Sequence, residues 1–272
     1  MTTADLHPDR PAEPAPLPPA AQENRSVPPA PQARVPYEVT LVRLTLRPLA
    51  KWAAKRALLG RYLDRNDPAR GRVTRDQMDR ILRRTWQAYD ALAPGAQVGR
   101  LKTRGNRQNV LLGVFSLAIF RALLAEGIDR PYATELVTDL AWKIYEKWVV
   151  LPRLAARCTH RDPQQQMNLM LRMFLRFPFS RPGYNWQARP EAGAFALDIY
   201  RCPVRDYLAS QGEEEFMLNS WCTLDFALAQ VMTQGGHYQR PHTLTAGDRV
   251  CDMTWFAKPG VADRPPRGEV WR

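Results

Sequence analysis

Only four cysteines and four histidines occur in this 272-residue chain, and no two cysteines stand two to four positions apart. That excludes the zinc modules whose ligands come in short pairs, and leaves only a metal site assembled from remote elements. The chain also has no glycine-rich phosphate loop, no G-x-G-x-x-G, no H-E-x-x-H and no G-x-S-x-G. The usual signatures of nucleotide binding, zinc proteolysis and serine esterases are therefore missing. Long hydrophobic runs are missing too. The longest, residues 110–120, is interrupted by Gly113 and Ser116, against the roughly 20 residues of a membrane span. The first residues lack the apolar core of a secretory signal, so a cytoplasmic location is expected. Cysteines there are expected as free thiols.

Proline and basic residues are plentiful but unevenly placed. Residues 1–36 hold ten of the 24 prolines, which remove backbone donors and fix φ, so this stretch is expected to be an extended, disordered tail. Of the formal charge of +12, residues 37–110 supply most, with 17 Lys and Arg against six acids. Zinc-finger and RNP patterns are absent from that stretch, so no nucleic-acid partner is expected. Arg43, Arg47, Lys51 and Lys55 recur every four residues along one side of a helix. They form either a solvated cationic face or a docking surface for an anionic membrane. Pro48 predicts a break or a helix start within that stretch.

Helical periodicity continues through residue 180. Thr74 opens a capping signature with Gln77 before a helix to about Leu92. Residues 106–126 form a second helix, ended by Gly127. Residues 131–150 follow, with Pro131 in the first turn, and residues 164–177 stop at Pro178. From 181 the pattern changes. Gly183, Pro190 and Gly193 mark a loop. Residues 194–202 alternate like a half-buried strand, with Phe195, Leu197 and Ile199 on one side. A helix over 213–233 and a hairpin of 238–245 with 249–256 complete the pattern, and Pro241 marks the first hairpin strand as an edge. The fold class is α+β: a helical region (37–180), then a mixed unit (181–258) with an antiparallel sheet of about three strands and a packed helix, then a loose tail (259–272).

The chemistry concentrates in that mixed unit. Three cysteines sit beside charged residues, as Arg201-Cys202-Pro203, Cys222-Thr223-Leu224-Asp225 and Asp248-Arg249-Val250-Cys251-Asp252. A thiol's nucleophilicity is set by such neighbours. On a continuous 213–233 helix, Met217, Trp221, Leu224, Leu228 and Val231 share the apolar arc. Cys222 shares the opposite face with Glu215, Asn219 and Phe226, next to Asp225. This makes Cys222 a candidate nucleophile, with Asp225 or Glu215 moving its proton. Cys251 shares its strand face with Met253 and Trp255, where an apolar setting makes a thiol inert, and Asp252 points the other way. His237 and His242 flank the first hairpin strand as candidate bases. Cys158 lies in the helical region and is read as incidental.

The segment Arg240-Pro241-His242-Thr243-Leu244-Thr245-Ala246-Gly247-Asp248-Arg249-Val250-Cys251-Asp252-Met253, with the Cys202 and Cys222 motifs before it, resembles the L-2-amino-thiazoline-4-carboxylic acid hydrolase family. The helix around residues 120–127 is similar as well, and the resemblance spans roughly 75–258. It implies a hydrolase that opens a cyclic amidine, giving a carbamoyl-cysteine, by attack of a thiolate or of water activated by a carboxylate. Cys222, Asp225, Cys251 and Asp252 are the expected catalytic residues. Cys202, Asn219, Arg240 and His242 are the expected contacts to a small-molecule substrate. An arginine suits its carboxylate, and Arg201 and Arg249 also lie near the motif. No cofactor is expected. The alternative is a non-catalytic module that holds a small ligand or a metal through the same cysteines.

Overall fold

The computed structural model describes residues 37–233 and 235–258. The readings made for 1–36 and 259–272 lie outside the described residues.

Among the described residues, five long helices come first: α1 Tyr37–Ala57, α2 Arg75–Leu92, α3 Arg104–Leu124, α4 Arg130–Thr159 and α5 Pro163–Arg176. Their starts follow the capping chemistry of the sequence. The Thr74 side chain accepts from the Gln77 N–H while the Gln77 side chain accepts from the Thr74 N–H, an exchange that stabilises a helix start by about 1 kcal/mol. Thr103, Asp129 and Asp162 cap α3, α4 and α5 in the same way, each accepting one backbone N–H. Gly127, at φ +78°, turns the chain from α3 into α4.

Two helices ignore their prolines. α1 runs unbroken through Pro48, where a break or start is predicted. Pro48 and Leu44 both face solvent, so the carbonyl that loses its N–H partner lies on the wet side, where water satisfies it. α4 passes Pro152 and ends nine residues later than periodicity suggests.

The mixed unit contains β1 Asn185–Arg189, β2 Phe195–Arg201, α6 Pro203–Ser210, α7 Glu214–Asn219, α8 Leu224–Met232, β3 His237–Gln239 and β4 Cys251–Phe256. The sheet is antiparallel in the order β1-β2-β4-β3, one strand more than expected. The extra strand, β1, is short, largely exposed and lies at an edge, so it lacks the alternation that betrays a half-buried strand. β3 is the opposite edge, and Pro241 follows just beyond it. The β3–β4 connection is not a tight turn. It spans 240–250 and contains a short 3-10 turn, Leu244–Ala246.

Two hydrophobic cores fill the fold. The first joins α1, α2, α3 and the start of α4 to α6, α7 and Cys222. α3 is long and apolar enough to cross a membrane by length and composition, and it lies mostly buried in this core. The second core packs the end of α4, α5 and α8 on the sheet. Hydrophobic packing therefore runs across residue 180. Cys202 touches both cores.

Candidate active site

The continuous helix expected over 213–233 is broken. Ser220 leaves helical geometry (φ −117°, ψ −78°), and its hydroxyl donates to the Phe216 carbonyl at 2.6 Å. A 3-10 turn, Trp221–Thr223, then leads into α8. Serine and asparagine side chains compete for backbone partners inside helices, and Asn219-Ser220 is where the break falls. Its consequence is the site. A straight helix would separate Cys222 from the apolar arc, whereas here Met217, Trp221, Cys222, Leu224, Asp225 and Leu228 all line one cavity.

That cavity, about 150 Å³, lies where the two cores meet. Leu140, Ile144 and Phe174 represent its helical walls, and Ile199, Met253 and Trp255 its sheet floor. Cys202, Cys222, Asp225, Arg240, Thr245 and Cys251 supply its polar groups at this side, and Asn109 and Tyr184 add two more.

Among the described residues Arg240 is the largest fully buried side chain, with 1% exposure. It directly follows β3, and the next residue, Pro241, restricts its backbone to extended geometry. One Nη donates to the Cys222 carbonyl at 2.7 Å, and the other stands 3.7 Å from the Asp225 carboxylate. Phe226 and Tyr238 flank the guanidinium with their rings. Its Nε has no hydrogen-bond partner, and neither do the indole N–H groups of Trp221 and Trp255. All three belong to residues of the cavity wall. The three donor atoms are themselves buried, and unpaired buried donors cost about 1–3 kcal/mol each.

Burial raises the Asp225 carboxyl to about 6, despite the opposing pull of Arg240. Burial also pushes the Cys202 thiol up to about 12 and raises the Cys222 and Cys251 thiols. All three sulfurs are therefore thiols, not thiolates, near neutral pH. Two of them are tied to the 240–250 connection. Cys222 Sγ lies 3.3 Å from Thr245 Oγ1. Cys251 Sγ lies 3.3 Å from Thr243 Oγ1 and accepts the Leu244 N–H at 3.2 Å. Next to Cys202, the Asn109 amide donates to the Tyr184 hydroxyl, which burial holds in its neutral form.

The cavity thus gathers Cys202, Cys222, Asp225, Arg240 and Cys251. It does not gather Asp252 and His242. These two meet on the surface, where the His242 backbone N–H and Nδ1 each lie 2.8 Å from an Asp252 oxygen. That pairing clamps the connection to β4 and raises the His242 pKa through the hydrogen bond and charge of Asp252. Asn219 ends α7 outside the cavity wall. Glu215 and Arg249 are exposed, and Arg201 pairs with Asp206 on the surface. His237 stacks on Phe256. Cys158 is exposed on α4.

Asn109, Tyr184 and Thr245 belong to the site without having been singled out from sequence. Asn109 did leave a trace, as a polar residue at the edge of the most apolar helical run. Among the described residues, no three His, Cys, Asp or Glu side chains converge as a metal site. Compared with family models, curated proteins and solved structures, the chain matches none.

Proposed function

We propose that the chain is a hydrolase that opens a small cyclic amidine bearing a carboxylate, such as aminothiazoline carboxylate. The observation that carries this reading is the meeting of Asp225, tuned to about 6, with the buried Arg240 in one cavity. The likeness of the 240–253 segment to the thiazoline-carboxylate hydrolases supports it.

Size supports it as well. An engineered apolar cavity of about 150 Å³ holds benzene. The cavity here, also about 150 Å³, suits a five- or six-membered ring and not a nucleotide or a peptide. Arg240, on the cavity wall, is the cation offered to the ring's carboxylate, because a guanidinium fork matches a carboxylate.

The carboxylate-assisted route is favoured over a thiolate route, because burial raises all three thiols. In that route ionised Asp225 takes one proton from water as the water oxygen bonds to C2 of the protonated amidine and the C2=N π pair moves onto nitrogen. The C2–S or C2–N bond then breaks as Asp225 gives its proton to the departing atom, and the remaining hydroxyl proton passes to solvent as the carbamoyl C=O forms. The sum is one water added and a carbamoyl-cysteine formed. Cys222, hydrogen-bonded to Thr245, serves as a neutral wall group beside the reacting carbon.

The test is to incubate the protein with aminothiazoline carboxylate and follow the mass of the small molecule. A gain of one water at a rate above the protein-free control supports the reading. An unchanged ring removes this substrate, and saturable binding without turnover moves the protein to the non-catalytic ligand module.

A further inference from the structure

A second feature lies on the outside of the molecule. The described surface exposes few large apolar side chains, and six of the nine belong to two helices: Tyr37, Leu41 and Leu44 on α1, and Val150, Leu151 and Leu154 on α4. Leu151 is 74% exposed and Leu154 60%, values a core-facing stripe does not show. The two sets lie at the same end of the antiparallel α1–α4 pair. The Lys147 ammonium sits 5.3 Å over the Trp52 ring, and beyond it Arg61 pairs with Asp139 and Arg65 with Glu135. The chain from Trp52 to Arg65 therefore runs antiparallel to α4 from Lys147 back to Glu135. The start of α1 and the end of α4 both lie beyond the Trp52–Lys147 contact, one packed on α2 and α3 and the other on α5 and α8.

Charge identifies what meets them. Residues 39–63 and 147–161 contain no Asp or Glu. Arg47, Lys51, Lys55 and Arg157 are exposed on these stretches, and among the described residues none of the four has an ion-pair partner. Arg43 is the exception, paired with Asp90 at 2.9 Å. A second copy of the chain is a poor occupant, because a twofold contact sets cation against cation. Nucleic acid would match the charge but would leave the leucines in water.

The geometry points to an anionic lipid bilayer as the partner of this face. The leucines enter the headgroup boundary while Arg47, Lys51, Lys55 and Arg157 hold acidic headgroups, the arrangement of interfacial helices. Each cation near such a surface contributes about five-fold in partitioning, converted from about 1 kcal/mol. This surface is separate from the cavity and stands or falls independently of the hydrolase reading.

The experiment is co-sedimentation of the full chain with phosphatidylcholine vesicles, with and without phosphatidylglycerol, at low and high salt. Binding is expected on the phosphatidylglycerol vesicles, at least ten-fold above phosphatidylcholine alone, and weakened by salt. The Leu151→Glu/Leu154→Glu pair lowers it about ten-fold or more, and the Lys51→Glu/Lys55→Glu pair does so by at least as much. Circular dichroism melting, unchanged in both variants, confirms the fold. Absence of binding at low salt overturns the inference. So does anionic binding that ignores the leucine changes, or a dimer in sedimentation velocity that those changes dissolve.

Discussion

The guanidinium of Arg240 stands 3.7 Å from the Asp225 carboxylate with 1% of its side chain exposed. Two opposite effects meet in this pair. Burial raises Asp225, Arg240 lowers it, and burial wins, leaving the carboxyl at about 6. The folded state therefore holds this proton more tightly than the unfolded chain, whose carboxyl titrates near 3.8. The stability contributed by that proton is complete below about 4 and is lost as pH rises through about 6.

Replacing Arg240 by Met keeps volume and removes the charge. Asp225 then lacks the one group that favours its ionised form, so the cost depends on pH. Urea unfolding of Arg240→Met is expected to show a loss of about 2–3 kcal/mol at pH 8, where the half-buried carboxylate is left unpaired. The loss shrinks at pH 5, where Asp225 carries its proton. Equal losses at both pH values would show that the two groups do not interact.

The thiols make a second prediction. Cys158 is exposed, whereas Cys222 and Cys251 are buried and Cys202 is partly so. Iodoacetamide at pH 7.5, followed by peptide mass mapping, is expected to modify Cys158 first and the other three at least ten-fold more slowly. Rapid modification of Cys222 would instead mark it as a thiolate and restore the nucleophile reading.

A third prediction concerns the segment that carries Tyr184. Asn106, fully buried at the start of α3, donates to the carbonyls of Pro178 and Ser180 at 3.0 and 2.9 Å. Gly183 passes so close that an added Cβ would fall 2.0 Å from Asn106 Oδ1. Gly183→Ala is expected to cost about 1–3 kcal/mol in denaturant unfolding and to displace Tyr184 from the cavity. A midpoint unchanged from that of the unaltered protein contradicts this packing.

The helical half of the fold was legible because its signals are local. Thr74 and Gln77 three residues apart, and Gly127 after an apolar run, each state a helix boundary within one turn. The alternation of Phe195, Leu197 and Ile199 likewise placed β2. β1 escaped because Asn185–Arg189 is nearly all exposed, and an exposed edge strand has no apolar face to display. The site was only half legible. The residues of the Cys202, Cys222 and Cys251 motifs were visible, and three sulfurs, Asp225 and Arg240 do meet. The break at Ser220 was not, and it changes the environment of Cys222 from an open helix face to a buried wall. Asp252 was expected to be catalytic and His242 to contact substrate, from their place in the motif, yet they pair with each other on the surface. Successive residues of a strand point to opposite faces, so with Cys251 on the cavity side of β4 its neighbour Asp252 faces away from it.

The most direct test is the pH dependence of ring opening by the unaltered protein and by Asp225→Asn, with aminothiazoline carboxylate as substrate from pH 5 to 8. General-base catalysis by Asp225 predicts a kcat/KM that rises through about pH 6 and then levels. It also predicts that Asp225→Asn is flat with pH and about 10²–10⁴-fold slower. A folded Asp225→Asn protein with the same rate and the same profile would contradict the account.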